Sequence, residues 1–332
     1  VGVRDDFFRL GGDSLSAAEL FARIEKVYGR KLPASTLLQS PTIEQLAKAV
    51  ECEGEQSSLV QMKAYGPDPP LFCVHGIGGD VLSFRDLANH LSADQPVYGL
   101  RAQGNKTDRF SVESIAAHYI NEMLRVQIDG PYFLIGYSFG GTIAFEMARQ
   151  LVAQGKPVGL LALIDTYGPG YPRLLPVAKR AMIHLKNLLR ARPSERLEYL
   201  RGRVRINVIR INKSIRRASY RYSVKIKGKR PAATENNIQA AHQQASSEYT
   251  PKVYDGKLTL FRAKQQGEVW LSDPVLGWGG LAAEGIEVHE TPGNHITLIA
   301  EPNVRSLAER LSECLIRARE KASRQSIAGT YQ

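Results

Sequence analysis

The chain has 332 residues, of which 43% are hydrophobic and 23% charged, as is typical of a soluble globular protein with a large core. No apolar run approaches the roughly 20 residues of a membrane span, so no membrane partner is expected. Three cysteines without metal-ligand spacing argue against a disulfide scaffold and a zinc site and predict a cytoplasmic protein. The first residue is Val1 rather than Met, which predicts a piece of a longer polypeptide.

Residues 4–14 lead into a predicted helix whose apolar positions, among them Leu15, Leu20 and Ile24, follow a period of about 3.6. The stretch from Asp6 to Leu15, DFFRLGGDSL, resembles the signature of peptidyl carrier domains of nonribosomal peptide synthetases. That resemblance implies that Ser14 carries 4′-phosphopantetheine through a phosphodiester. A helix N-terminus favours a phosphate, which fits this position. The alternative is that Ser14 only caps the helix.

Residues 37–47 also resemble the later helices of such carriers, so residues 1–50 are predicted to be an all-α carrier bundle. The family has four helices, and the first is expected upstream of Val1, which leaves this bundle partial. Residues 51–58 are polar and without periodicity, and they are predicted to be a linker.

From Leu59 onward, short apolar runs alternate with helical patterns, which predicts a mainly parallel sheet covered by helices. The run from Tyr132 to Ile135 is followed by GYSFGG around Ser138 and then by a helical pattern to Leu151. Strand, G-x-S-x-G and helix in this order predict a nucleophile elbow, in which the flanking glycines permit a tight turn. Ser138 is therefore the predicted nucleophile.

Two further residues stand at predicted strand ends. Asp165 follows the apolar run 157–164. His295 lies in the predicted loop 291–295, after the predicted strand 285–290. His289 lies inside that strand and is predicted to be a packed residue. The order Ser138, Asp165, His295 is that of the catalytic triad of α/β-hydrolases. The serine needs a base, and the histidine needs a carboxylate that orients it.

From about Leu59 to Arg319 the chain resembles type I thioesterase domains, which have the α/β-hydrolase fold. This resemblance assigns the oxyanion hole to the backbone N–H groups of Ile77, in the Gly-rich loop after His75, and of Phe139. His75 itself is expected to shape that loop by hydrogen bonding. The thioesterase domain is predicted to span residues 59–320, with a helical lid over about 168–248 and a flexible tail over 321–332.

The net charge of +11 resides in the lid, because residues 171–231 contain 19 Lys and Arg against two Glu. Helices are predicted at 176–189 and 196–215. Three interpretations of the charge stay open: a solvated lid face, a docking surface for the carrier, and a nucleic-acid or anionic-membrane surface. The last is the weakest, because the segment has no recognised nucleic-acid-binding motif.

Together the resemblances imply the termination module of a nonribosomal peptide or hybrid polyketide synthetase. An acyl or peptidyl thioester on Ser14 would pass to Ser138 and leave by hydrolysis or cyclisation. The implied partners are upstream synthetase domains, with an adenylation domain among them, and a phosphopantetheinyl transferase. The alternatives are a free-standing serine esterase or acyltransferase, and a carrier joined to a non-catalytic docking module.

Overall fold

The computed structural model describes residues 1–51, 57–103, 111–190 and 235–330, with isolated positions between 191 and 234. Residues 1–51 form an N-terminal helical unit of three helices, α1 (Ser14–Tyr28), α2 (Thr36–Gln39) and α3 (Ile43–Glu51). Apolar side chains at helical spacing, such as Ala17, Phe21 and Ile24 on α1, form its small core.

The remaining described residues form an α/β domain around a seven-stranded sheet. Its strand order is β1-β3-β2-β4-β5-β6-β7, and only the β1–β3 pair is antiparallel. The strands are β1 (Leu59–Lys63), β2 (Leu71–Val74), β3 (Val97–Leu100), β4 (Tyr132–Tyr137), β5 (Val158–Ile164), β6 (Leu258–Gln265) and β7 (Ile286–Asn294). The helices are α4 (Arg85–His90), α5 (Val112–Leu124), α6 (Phe139–Ala153), α7 (Val177–Arg190), α8 (Glu235–Glu248) and α9 (Val304–Thr330).

Both faces of the sheet are covered, as a parallel sheet requires. Along β4, Tyr132 and Leu134 face the core formed with α5 and α6. Phe133 and Ile135 face the opposite core, which is formed with α4 and α9. This alternation follows from the two-residue period of a strand, and it explains why the β4 run is apolar throughout.

The strand order reverses between β2 and β4. From β2 the chain moves to β3 on one side, whereas from β4 it continues to β5, β6 and β7 on the other. The carboxyl ends of β2 and β4 therefore lie side by side at a switch point, where open α/β sheets form their ligand crevice. The loop that begins at His75 and the turn at Ser138 leave these two strand ends.

The N-terminal helical unit packs directly against the α/β domain. Leu82 of the α/β domain is 7% exposed and belongs to the core cluster of the helical unit, whereas Leu38 packs on the core of the α/β domain. The guanidinium of Arg85 lies 4.0 Å from the centre of the Phe8 ring, a cation–π contact. The two units thus exchange apolar side chains across their interface.

Polar contacts fix the same interface. Asp80 Oδ2 accepts a hydrogen bond of 3.1 Å from the Ser35 backbone N–H. Arg101 is buried, and its guanidinium donates to Ser35 Oγ at 3.4 Å and to the Ser57 carbonyl at 3.1 Å. One arginine therefore joins the helical unit, the segment that follows it and the sheet.

Replacing Leu82 with Asp should detach the helical unit, because a carboxylate in an apolar cluster is strongly unfavourable. We expect amide hydrogen exchange in α1 and α2 to become at least about tenfold faster while the central strands stay protected, since less protected segments open independently of the core. Ile128→Asp is the control, because Ile128 is 72% exposed. Equal exchange in the two variants would contradict this role of Leu82.

The predictions for the tail and for the lid have different outcomes. The helix α9 continues to Thr330, although a flexible tail was predicted from residue 321; the residues from Glu320 to Arg324 are mostly good helix formers, so nothing ends the helix at Arg319. Within the lid, α7 matches the predicted helix 176–189, whereas the predicted helix 196–215 lies outside the described residues, apart from isolated positions. Among the helices of the described residues, none combines the length and the apolar character that a membrane span requires.

Candidate active site

Ser138 lies in the sharp turn between β4 and α6, with φ 55° and ψ −122°. A non-glycine residue at positive φ is strained, and such strain is concentrated at functional sites. A Cβ at Gly136 would lie 2.2 Å from the Gly140 carbonyl oxygen, and one at Gly140 would lie 2.1 Å from the His75 carbonyl oxygen. The turn therefore tolerates only glycine at both positions, as the elbow prediction requires.

His295 directly follows β7. The predicted loop 291–295 differs from the structure, in which β7 continues to Asn294, paired with β6. The longer strand brings the chain to the carboxyl end of the sheet. There, His295 Nε2 lies 3.1 Å from Ser138 Oγ. This distance is within hydrogen-bond reach of a nucleophile and its base.

Asp165 follows β5 and has a fully buried side chain. Its Oδ2 lies 2.8 Å from His295 Nδ1. Its Oδ1 accepts two hydrogen bonds, from the Ala263 backbone N–H at 2.9 Å and from Gln266 Nε2 at 3.0 Å. The two donors hold the carboxylate in one orientation, in which the other oxygen, Oδ2, faces the imidazole.

Two tyrosine rings pack on the His295 imidazole. The Tyr137 and Tyr167 rings stack on it, with centroid distances of 5.4 and 5.5 Å. Tyr137 donates a hydrogen bond of 2.6 Å to the His295 carbonyl, and the Tyr167 hydroxyl lies within the influence of the Asp165 charge. Burial and the nearby Asp165 charge raise the pKa of Tyr137 to about 12 and raise that of Tyr167 as well, so both hydroxyls stay protonated donors.

Neither tyrosine was predicted from the sequence to support the site, although Tyr137 is the second residue of the G-x-S-x-G motif itself. That position, directly before the nucleophile, is a signal that could have found it. Tyr167 follows Asp165 by two residues and offers no comparable pattern.

The two assigned oxyanion donors lie on either side of the switch point. Phe139 is the first residue of α6, where a backbone N–H has no partner within the helix. Ile77 lies in the loop after β2, and no backbone–backbone hydrogen bond among the described residues uses its N–H. Both N–H groups can therefore donate a hydrogen bond to a ligand oxygen.

Two buried histidines contact this loop. His75 Nδ1 lies 2.5 Å from the Gly76 carbonyl oxygen, as expected for a residue that shapes the loop, and His242 Nδ1 on α8 lies 2.8 Å from the Ile77 carbonyl oxygen. Burial lowers the pKa of His75 to about 4. Burial, and then the proximity of His75, lower the pKa of His242 to about 3. His242 was not predicted from the sequence, because a single histidine in a helical pattern carries no local signal.

His289 belongs to a separate cluster, with its ring stacked on Phe261 at 5.2 Å, and the prediction of a packed histidine fits this. Its Nε2 lies 2.9 Å from a Glu287 oxygen and 3.6 Å from Cys314 Sγ. These three side chains could in principle hold a metal ion. However, Lys257 and Arg317 already bind the Glu287 carboxylate at 2.8 and 2.7 Å, so their positive charges oppose a cation there.

Comparison with known proteins shows the family. Residues 69–315 match the family model of the thioesterase domain. The chain belongs to the thioesterase domain family. Residues 1–50 match the family model of the phosphopantetheine attachment site, so the chain is a carrier–thioesterase didomain, with the carrier formed by the N-terminal helical unit.

Two much longer synthetases are similar to this chain. Malpinin synthetase of Mortierella alpina is 35% identical over 306 residues, which cover 89% of this chain but 4% of that protein. A dimodular nonribosomal peptide synthase of Bacillus subtilis (strain 168) is 39% identical over 173 residues, which cover 50% of this chain and 7% of that one. The chain therefore spans less than a tenth of the length of these relatives.

Solved structures agree on the fold. A four-domain nonribosomal peptide synthetase, holo-AB3403 bound to AMP and glycine, matches with a TM-score of 0.59 and 26% identity over 94% of this chain and 24% of that one. The NocB thioesterase domain, in covalent complex with a fluorophosphonate nocardicin G analogue, matches with a TM-score of 0.52 and 22% identity over 75% and 96% of the two chains. The thioesterase domain thus has the α/β-hydrolase fold.

The carrier offers a suitable attachment point for phosphopantetheine. The cap of α1 is Asp13, whose carboxylate accepts from the Ser16 N–H at 2.8 Å. Ser14 is the next residue and is exposed. The alternative in which Ser14 caps this helix is therefore wrong, because Asp13 already occupies that position. An exposed hydroxyl at a helix N-terminus is accessible to a modifying enzyme and suits a phosphate.

Proposed function

We propose that this chain is the termination module of a nonribosomal peptide or hybrid polyketide synthetase that makes a secondary metabolite. Ser14 is the attachment residue, and Ser138, Asp165 and His295 are the catalytic triad. The observation that carries the proposal is the hydrogen-bonded line from Asp165 through His295 to Ser138, at 2.8 and 3.1 Å, in a chain that also exposes Ser14. Phosphopantetheine, when attached, supplies the thiol that holds the acyl chain as a thioester.

His295 accepts the hydroxyl proton of Ser138 as Ser138 Oγ attacks the thioester carbonyl carbon. Asp165 keeps the proton on His295 Nδ1 and stabilises the imidazolium that forms. The N–H groups of Ile77 and Phe139 donate to the oxyanion, which is often the largest catalytic contribution. His295 then gives its proton to the departing sulfur, and the acyl group remains as an ester on Ser138.

The same residues release the product in a second step. His295 deprotonates either water or an amine or hydroxyl within the acyl chain, and that nucleophile attacks the Ser138 ester. Ser138 recovers its proton from His295 as the ester bond breaks. Water gives a linear acid, and an internal nucleophile gives a ring.

The domain bounds belong to the same proposal: a carrier over 1–50, a linker over 51–58, and a thioesterase domain over 59–320 with a lid over about 168–248. A groove of about 680 Å³ on the carrier, lined by apolar residues such as Phe7, Leu20 and Ile24, supports a further carrier helix packing there, upstream of Val1.

The C-terminal end of the lid is held by Tyr249, whose hydroxyl donates to the buried Glu146 at 2.8 Å.

The proposed partners are an upstream adenylation domain, which loads the carrier, and a phosphopantetheinyl transferase, which modifies Ser14 in the cytoplasm. The basic segment 171–231 has three candidate roles: a solvated face, a docking surface for a carrier, or an anionic-surface contact. Its described helix α7 buries no residue, which supports the first. A free-standing esterase remains the second candidate, but the exposed Ser14 disfavours it, because such an enzyme needs no tethered arm.

The test is intact-mass analysis after treatment with a phosphopantetheinyl transferase and an acyl-coenzyme A. We expect the mass to rise by one acyl-phosphopantetheine in the unmodified chain and not in Ser14→Ala. In Ser138→Ala the acyl group should stay on the carrier long after the unmodified chain has lost it. If Ser14 is never modified while Ser138-dependent ester cleavage persists, the chain is a free-standing hydrolase.

A further inference from the structure

The loop that carries Ile77 is held by a pair of stacked histidines from two different parts of the chain. His75 lies at the end of β2, and His242 lies on the lid helix α8. Their ring centroids are 4.9 Å apart with an interplanar angle of 21°. Both side chains are almost completely buried, with exposures of 0% and 1%. Nothing in the proposed proton transfers uses either ring.

The hydrogen bonds fix the protonation of both rings. A carbonyl oxygen only accepts, so Nδ1 carries the proton in His75, which donates to Gly76, and in His242, which donates to Ile77. The remaining nitrogen of a neutral ring accepts, and His75 Nε2 accepts the Tyr119 hydroxyl proton at 2.7 Å. Burial keeps both rings neutral, so these directions persist at neutral pH.

These contacts determine where the Ile77 N–H points. The Gly76 carbonyl and the Ile77 N–H belong to one planar trans peptide, in which they point in opposite directions. Holding the Gly76 oxygen on His75 therefore directs the Ile77 N–H to the other side. Holding the Ile77 oxygen on His242 fixes the next peptide plane in the same way. Each plane that flanks Ile77 is thus held by a histidine, and the Gly76 oxygen also accepts a hydrogen bond of 3.0 Å from the Gly79 N–H.

The lid helix also contacts the second donor. The His242 ring lies 4.9 Å from the Phe139 ring, at 33°. A Cβ built at Gly79 would lie 3.2 Å from Ile238 and 3.6 Å from His242, so α8 packs directly on the loop. One face of the lid helix therefore touches both residues that carry the assigned oxyanion donors.

We propose that His242 is a positioning residue that makes the oxyanion hole depend on the seated lid helix. With α8 in place, the His75–His242 pair holds both peptide planes around Ile77; when α8 moves away, the Ile77–Gly78 plane loses its partner. This inference rests on the proposed acyl transfer at Ser138. It explains why a lid residue, distant in the chain from every catalytic residue, has its donor aimed at the loop.

The test compares His242→Leu with His242→Asn in the full chain, because Asn retains an N–H donor near the position of Nδ1. With the N-acetylcysteamine thioester of a short fatty acid as substrate, His242→Leu should lower kcat about tenfold or more and leave KM within about twofold. Loss of a complete oxyanion donor lowers kcat by about 10² to 10³, which sets the upper limit. An alkyl boronic acid, whose adduct with Ser138 is tetrahedral, should bind His242→Leu more weakly by a similar factor.

His242→Asn should recover most of the activity and of the boronic acid affinity. His90→Leu is the matched control, because His90 lies on α4 and pairs with Glu301, on the face of the sheet opposite to α8, and it should match the unmodified chain. If kcat falls equally in the Leu and Asn variants, or if only KM rises, His242 contributes packing alone. Unchanged kcat in His242→Leu would overturn the proposal outright.

A separate readout distinguishes this proposal from the proposed function. Amide hydrogen exchange at residues 76–79 should be faster in His242→Leu than in the unmodified chain, and this holds whether or not the thioester is a substrate. If the unmodified chain shows no Ser138-dependent turnover, the proposed function fails while the exchange result still tests the loop. If turnover is normal and exchange at the loop is unchanged, the positioning role fails alone.

Discussion

Replacing Asp165 with Asn should lower kcat about 10⁴-fold, the loss expected when the histidine of such a triad has the wrong tautomer. The reason lies in the buried hydrogen bonds of Asp165. Because Oδ1 receives the Ala263 N–H and Gln266 Nε2, the amide of Asn must place its oxygen there and its NH₂ toward His295. His295 Nδ1 then has to accept, so its proton moves to Nε2 and the ring can no longer take the proton of Ser138.

This loss is measured by steady-state hydrolysis of the acyl N-acetylcysteamine thioester. Ser138→Ala lacks the nucleophile and gives the lowest expected activity, with kcat reduced about 10⁶-fold. Gln266→Leu removes one donor to Asp165 without introducing an amide, so its loss should be far smaller. If Asp165→Asn retains more than about a tenth of the activity, Asp165 does not orient the base.

Acidification to pH 5 should destabilise the α/β domain by several kcal/mol through His75 and His242. Their pKa values in the folded chain, about 4 and about 3, lie below the ordinary value of 6.5. Stability is therefore complete above about pH 6.5 and is lost as the pH falls, because only the unfolded chain takes up the protons. Between pH 6.5 and pH 5 this amounts to about 2 kcal/mol for each histidine, at 1.36 kcal/mol per pH unit.

The measurement is the urea midpoint of the α/β domain at pH 8 and pH 5. His242→Asn is the informative variant, because it keeps an N–H donor but removes one titrating ring. The difference between the two pH values should fall to about half in this variant. The same pH dependence in both proteins would mean that other groups are responsible for the acid sensitivity.

The sequence by itself determined the features that rest on local geometry. The elbow at Ser138 could be predicted from G-x-S-x-G, because the tight turn has a local requirement. Ser138 has a positive φ, and the backbone approaches Gly136 and Gly140 so closely that no side chain fits there. The alternation of apolar runs and helical patterns predicted the parallel sheet, since both faces of such strands are buried. The attachment role of Ser14, at the start of α1, could be predicted in the same way, because all residues of its motif are contiguous in the chain.

Residue order also placed Asp165 and His295 correctly at strand ends. It could not give the distance between their side chains, because the two residues are 130 positions apart in the chain, with the lid between them. The extension of β7 to Asn294 depends on pairing with β6, and pairing is a property of two strands. Local propensity alone suggested a loop there.

Only the tertiary structure decided which side chains support the site. Tyr167 stacks on His295, and His242 reaches the Ile77 carbonyl from 165 positions away. Neither residue belongs to a periodic pattern or a motif, because its role is set by what the fold places next to it. The packing of Leu82 into the carrier core is a further example. The sequence shows that Leu82 is apolar, but only the folded chain determines which residues bury it.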